Sequence, residues 1–148
     1  MELFLFSDLN SDHLKTLEKL LNKTYWGKEI TYSELYTTVS QSSLIFAYKN
    51  REAKLVAFAR VLTDYIAKAF ILDFVVDDKY QGLGVGSQLL DEIINCTELK
   101  KVRHLELYCK KDVIPFYSRV GFKKANKELK LLCLDHGPRK SLGPIQEI

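Results

Sequence analysis

Apolar and polar positions recur along this chain with two periods, and the period marks the elements. Leu3 to Phe6 is a short apolar strand, closed by Ser7, Asp8, Asn10 and Ser11, residues of the turn and helix-cap type. Leu14, Leu17, Leu20 and Leu21 then recur at helical spacing with Lys15, Glu18, Lys19 and Lys23 opposite them, which predicts an amphipathic first helix. Thr31 and Glu34 have the spacing of a capping box opening a second helix to about Val39. Leu44 to Tyr48 and Lys54 to Thr63 predict two strands around the polar turn Lys49-Asn50-Arg51-Glu52. Asp64-Tyr65 turns the chain into Ala67 to Val76, an apolar run of the kind found in a strand covered on both faces. Gly86, Leu89, Leu90, Ile93 and Ile94 return to the helical period, and His104 to Cys109 alternates as a strand. Asp112 precedes a short helix with Pro115 early in it and Gly121 at its C-terminal cap position. Phe122 to Ala125 and Glu128 to Leu134 predict a last strand pair around Asn126-Lys127, and the chain from about Asp135 reads as a tail rich in turn residues. The order is β-α-α-β-β-β-α-β-α-β-β without internal repeat or linker, which predicts one domain over 1–148, with a core of about 3–134 and a tail of 135–148.

The junction between the apolar strand and the third helix carries the candidate chemistry. Gly82, Gly84 and Gly86 alternate there, allowing a sharp turn and bringing bare N–H groups close to whatever lies over the helix start. A helix N-terminus of this kind favours an anion, typically phosphate. The P-loop spacing fails because no lysine follows Gly86, and the dinucleotide spacing G-x-G-x-x-G fails because the third glycine comes one residue early and no acidic ribose partner follows about 20 residues on. On the loop alone, a glycine-rich turn that binds nothing is the alternative.

Composition narrows the class. The 148 residues are 47% hydrophobic and 28% charged, those of a globular chain. A net charge of +3, with basic residues scattered apart from pairs such as Lys100-Lys101, Lys110-Lys111 and Lys123-Lys124, argues against a nucleic-acid partner. Cys96, Cys109 and Cys133 are widely spaced and lie in apolar settings, which predicts buried thiols in a reducing compartment with neither a disulfide framework nor zinc spacing. The N-terminus lacks the length and basic flank of a signal peptide, and no apolar run reaches membrane-spanning length, so a soluble, cytoplasmic protein with no membrane partner is expected.

Gln81-x-x-Gly84-x-Gly86 resembles the [Q/R]-x-x-G-x-[G/A] signature of the GNAT superfamily of acyl-CoA-dependent N-acyltransferases, and Phe116-Tyr117-Ser118-Arg119-Val120-Gly121-Phe122 resembles that family's F-Y-x-x-x-G-F segment. The element order over residues 3 to 134 is similar to the family's fold. Phe58 to Asp64 and Leu72 to Val76 further resemble a bacterial subgroup of small members whose substrates are uncertain. The resemblance implies an α/β (α+β) GNAT fold, a mixed six- or seven-stranded splayed sheet flanked by about four helices. It implies transfer of the acetyl group of acetyl-CoA to a primary amine by direct attack in a ternary complex, with no metal.

Such a transfer needs an anion site, donors for the oxyanion, an acceptor for the amine proton and a donor for the leaving thiolate. The resemblance places the coenzyme pyrophosphate against the loop from Gln81 and Gly82 through the main-chain N–H groups of Leu83, Gly84, Val85, Gly86 and Ser87, and the pantetheine arm against peptide groups of Phe74, Val75 and Val76, on a strand edge left open by splaying. Tyr117 matches the family tyrosine near the coenzyme sulfur and is the candidate general acid; packing of a helix aromatic is its other reading. Asp73 interrupts an apolar strand, where a carboxylate is costly unless paired or functional. It is a candidate base, direct or through water, a candidate anchor for a cationic amine, or a structural acid satisfied by backbone donors or by Arg60. The sequence departs from the family at Lys110-Lys111-Asp112, which lacks an asparagine often found there, though either lysine is able to approach the coenzyme 3′-phosphate. His13, His104 and His136 are isolated and read as surface or partly buried residues.

Family topology puts Tyr25 and Trp26, and Asp64 and Tyr65, beside the acceptor, which favours a small-molecule or peptide amine carrying positive charge. A monomer or homodimer is expected. A non-catalytic module that binds acyl-CoA shares the loop and the open strand and is the competing reading; Tyr117 and Asp73 discriminate the two.

Overall fold

The computed structural model describes residues 1–24 and 26–136. The described residues group into two compact units, the first Met1–Leu107 and the second beginning at Tyr108. The predicted tail lies outside the described residues from 137 onward.

The first unit is built on strands β1 (Phe4–Phe6), β2 (Leu44–Lys49), β3 (Leu55–Thr63), β4 (Lys68–Val76) and β5 (His104–Glu106), in the sheet order β1-β2-β3-β4-β5. The first three pairings are antiparallel and β4–β5 is parallel. Helices α1 (Ser11–Asn22) and α2 (Tyr32–Ser40) connect β1 to β2, and both start on capping boxes. Thr31 and Glu34 form the second box as their spacing predicts, whereas the first is made by Asn10 with His13. Leu14, Leu17, Leu20, Leu21 and Leu35 of these helices pack with Ala47, Leu55 and Phe58 of the sheet. Each such leucine contributes roughly 1.5–3 kcal/mol by leaving water.

Helix α3 (Val85–Ile94) packs against β2, β3 and β4 with Leu89, Leu90 and Ile93 fully buried. Ala47 faces α1 and α2, and the next residue, Tyr48, donates its hydroxyl to Glu92 Oε1 of α3 at 3.2 Å. Successive strand residues point to opposite faces, so α3 covers the other side of the sheet. A single turn, α4 (Thr97–Lys100), follows before β5.

Two features of β4 position the site. Its pairing with β5 covers only Lys68, Ala69 and Phe70, so among the described residues no strand lies along the same edge of β4 from Ile71 to Val76. Against β3, Arg60 pairs with Leu72 and Phe58 with Val75, so Ala59 alone faces Asp73 and Phe74, a β-bulge. Asp73 adopts a left-handed backbone, φ 54°.

The second unit contains α5 (Ile114–Ser118), with Pro115 in its first turn and Gly121 at φ 105° just beyond it, where the sequence places a C-terminal glycine. Three expectations are corrected. The sheet has five strands among the described residues, not six or seven, because 122–125 and 128–134 form no ladder. Between them is a turn in which Asn126 accepts from Glu128 N–H through its side chain and from Leu129 N–H through its carbonyl. Leu129, Leu131, Leu132 and Leu134 are 69–89% exposed, so the strand-like pattern there gains no packing against a neighbour, which is what realises strand propensity. The helices number five among the described residues rather than about four, α4 being too short to show a period. The cysteines are not buried: Cys96 and Cys109 are half-buried and Cys133 is exposed.

Candidate active site

The connection from β4 to α3 is braced by backbone and side-chain groups from distant parts of the first unit. Asp77 N–H donates to Val56 O at 2.8 Å, Asn50 Nδ2 donates to the Tyr80 hydroxyl at 3.1 Å, and Lys23 Nζ reaches Asp78 Oδ2 at 3.3 Å. The Gln81 amide donates to Val76 O at 3.0 Å and to Asp78 Oδ1 at 3.2 Å, tying the loop to the end of β4. Sequence reasoning missed the Asn50–Tyr80 bond, since thirty residues separate the partners.

Gly82 and Gly84 then take left-handed φ values of 76° and 84°, and a Cβ added to either would stand in open space. Gly84 is the N-cap of α3 and offers no side-chain oxygen to the first-turn N–H groups. Gly82, Leu83 and Gly84 are exposed, Val85 is buried, and Gly86 and Ser87 are half-buried in the first turn. The arrangement is a helix N-terminus with its N–H groups uncapped by Gly84 and room in front of the glycines, chemically an anion cradle. Phe74, Val75 and Val76, half-buried on the stretch of β4 beyond its pairing with β5, lead directly into it.

Asp73 sits at the bulge with Oδ2 2.6 Å from Arg60 Nε, and both side chains are only 14% exposed. The partner is the one the sequence offers as the structural alternative.

In the second unit, Tyr117 is 8% exposed, its ring edge-on to Phe116 at 4.9 Å and to Phe122 at 5.8 Å between centroids. Phe122 N–H donates to Tyr117 O at 3.3 Å, so both ends of the Phe116 to Phe122 segment close on the tyrosine. Burial, with a smaller contribution from the Cys109 thiolate, pushes the Tyr117 phenol up to about 12. Burial, and then the charge of Asp112, raises the Cys109 thiol. Lys110 and Lys111 are exposed.

The acceptor-side candidates lie on different connections. Tyr25 is outside the described residues, and Trp26 is 48% exposed between α1 and α2. Asp64 is exposed, but its Oδ1 accepts the N–H groups of Ile66, Ala67 and Lys68 at 2.9, 2.8 and 3.3 Å, and those bonds lower its carboxyl below the usual range. That oxygen braces the β3–β4 turn. Tyr65, 42% exposed at φ 65°, donates its hydroxyl to Ser43 O at 3.2 Å. Among the described residues, no group of three or more His, Cys, Asp or Glu side chains is arranged to hold a metal.

Residues 40–124, which include the bulge, the glycine loop and Tyr117, match the family profile described as "Acetyltransferase (GNAT) domain". The chain belongs to the GNAT family. It is 30% identical over 126 residues to the N-acetyltransferase ycf52 of Pyropia yezoensis, covering 83% of this chain and 71% of that one. It is 32% identical over 74 residues to the chloroplastic GCN5-related N-acetyltransferase 2 of Arabidopsis thaliana, covering 50% of this chain and 29% of that one. The fold is similar to the crystal structure of a GNAT family protein from Xanthomonas campestris, with a TM-score of 0.81, 24% identity, and coverage of 90% of this chain and 94% of that one. Membership makes the chain an N-acetyltransferase and gives it the family's α/β architecture. GNAT enzymes in general take acetyl from acetyl-CoA and need an amine acceptor. Among the described residues no helix is long and apolar enough to cross a membrane.

Proposed function

We propose that this GNAT enzyme binds acetyl-CoA along the edge of β4 beyond its pairing with β5 and at the glycine loop, and acetylates a primary amine by direct attack in a ternary complex. One observation carries the reading: the pairing of β5 with β4 ends at Phe70, and β4 runs on from there, with no described strand along that edge, into two left-handed glycines and the N-terminus of α3. An extended arm of amides fits an edge that no described strand covers, because it adds to the sheet there as a further strand. A pyrophosphate fits the cradle, where open space stands in front of Gly82 and Gly84 and first-turn N–H groups supply positive potential.

The coenzyme supplies an activated acetyl thioester. Peptide N–H groups of Phe74 to Val76 polarise the acyl carbonyl. The amine loses a proton to Asp73 Oδ1, directly or through water, while Oδ2 stays with Arg60. We assign the leaving thiolate's proton to Tyr117, on its match to the family segment and on a phenol that stays protonated throughout the neutral range. The acceptor we favour is a small-molecule or peptide amine bearing positive charge, met by the half-exposed rings of Trp26 and Tyr65. Three free thiols support a reducing compartment, for which we propose the cytoplasm.

Acetyl-CoA is expected to raise the melting temperature, because it binds only the folded chain. No shift at millimolar acetyl-CoA, with another GNAT enzyme responding in parallel, sinks the cofactor reading. Titrating polyamines, aminoglycosides, amino acids and peptide N-termini while measuring released thiol then identifies the acceptor. Binding without turnover on any amine would favour a non-catalytic acyl-CoA module.

A further inference from the structure

We propose that Arg60, on β3, is a positioning residue that holds the bulge of β4 and thereby decides which peptide groups of Phe74 to Val76 face the coenzyme. The inference rests on the binding mode proposed above and concerns what maintains it.

Asp73 has φ 54°, a region in which every residue with a Cβ is strained and Asp is only relatively tolerated. Such a backbone persists where its surroundings over-determine it. Here the constraint is visible: Arg60 Nε lies 2.6 Å from Asp73 Oδ2, with both side chains 14% exposed. The register shows what the constraint does. With the bulge, Val75 stands opposite Phe58; without it, the Arg60–Leu72 pairing would continue through Ala59–Asp73 to set Phe74 opposite Phe58. Because a strand's peptide groups alternate sides, this one-residue slip exchanges the groups that bond to β3 for those that face the open edge. The pantetheine arm would then meet the wrong donors, while the glycine loop, held from outside β4 by Asn50 at Tyr80 and Lys23 at Asp78, would keep its place.

The test compares the affinity of acetyl-CoA with that of 3′-phospho-ADP, the nucleotide half of the coenzyme, by calorimetry on folded variants. Asp73→Gly and Asp73→Ala both remove the carboxylate, but only glycine adopts the left-handed backbone without strain. Asp73→Ala is expected to bind acetyl-CoA at least about tenfold more weakly than Asp73→Gly, a ratio corresponding to the strain of a Cβ in that region. Both should bind 3′-phospho-ADP as the wild type does. Arg60→Met leaves a carboxylate buried without its partner and risks unfolding. The double variant Arg60→Met/Asp73→Asn removes both charges and should show the same selective loss of acetyl-CoA affinity. Equal acetyl-CoA affinity in Asp73→Gly and Asp73→Ala, or wild-type affinity in the double variant, overturns the positioning role and leaves the cofactor reading standing. A wild-type protein that binds neither ligand overturns both.

Discussion

His13 Nε2 donates to the carbonyl of Ala53 at 2.8 Å, forty residues away, while His13 Nδ1 accepts the N–H of Asn10 at 3.1 Å. A backbone N–H only donates, so Nδ1 carries no proton and the Nε2–H tautomer is fixed. One side chain thus closes the capping box of α1, holds the β2–β3 turn, and packs its ring 4.8 Å from Phe6. His13→Ala removes a cap and a partly buried hydrogen bond, each about 1 kcal/mol, and should lower stability by about 2 kcal/mol. Urea unfolding measures it; a loss below about 0.5 kcal/mol would make the two bonds incidental.

Gly27 lies against the end of α1. A Cβ there would stand 2.8 Å from Leu21 O, 2.9 Å from Leu21 Cβ and 2.9 Å from Thr24 Oγ1. Thr24 has no freedom to retreat, since its hydroxyl donates to Leu21 O at 2.6 Å and accepts from Gly27 N–H at 2.9 Å. Gly27→Ala is therefore expected to cost about 1–3 kcal/mol as overpacking, despite the entropic gain of replacing a glycine. An unchanged denaturation midpoint would show that the α1–α2 connection yields freely.

How much of this was legible in the sequence depends on the range of the interaction. The Thr31–Glu34 box, the stripes of α1 and α3, the glycine turn and Gly121 after α5 depend on residues within a turn or two of each other, and local spacing reveals them. His13 read as an isolated histidine because Ala53 is forty residues away, and no pattern marks a backbone carbonyl as its partner. Asp73 stood out as a charge in an apolar strand, with Arg60 a possible partner, but nothing in the residue type announced a left-handed backbone or the register shift beside it. Asp64 offers an acid beside the acceptor by family topology, and the residue type equally suits a turn brace, the role its Oδ1 takes. The leucines of 128–134 suggested strands because the pattern records apolarity and not whether a neighbouring ladder exists to receive it.

Two tyrosines make stability depend on alkaline pH. Tyr48 is raised from 10.0 to about 12, first by burial and then by Glu92 and Asp91 beside its hydroxyl, and Tyr117 is raised to about 12 chiefly by burial. Unfolded, both phenols lose their protons near pH 10; folded, they keep them to about pH 12. Between those values the unfolded chain binds fewer protons, so rising pH favours unfolding. The contribution is complete below pH 10 and is lost as pH climbs through about 12. Urea midpoints should thus fall between pH 10 and 12, and Tyr48→Phe should flatten that decline while changing stability at pH 8 by less than about 1.5 kcal/mol. The same slope in Tyr48→Phe as in the wild type would remove Tyr48 from the account.

The glycine loop separates a main-chain anion site from a side-chain one. The Gln81 amide is occupied by Val76 O and Asp78 Oδ1, so it braces the loop and has little left to offer a pyrophosphate. Gln81→Ala is expected to weaken coenzyme binding only a few-fold, since it removes two exposed bonds that brace the loop and none that holds the anion. Gly84 is different in kind. At φ 84° any side chain strains the backbone, and its Cβ would occupy the open space in front of the N-terminus of α3, where the pyrophosphate is proposed to sit. The strain alone is roughly 1–2 kcal/mol, about tenfold in affinity, and a branched side chain adds direct exclusion of the ligand. Gly84→Ala should lose at least that factor, and Gly84→Val should abolish binding while circular dichroism still reports a folded chain. Affinity should also follow the pyrophosphate, with pantetheine fragments binding poorly, since they offer no anion to the helix start. Calorimetry decides: if Gly84→Val binds coenzyme A normally and Gln81→Ala does not, the anion is held by a side chain, and the first turn of α3 plays no part in binding it.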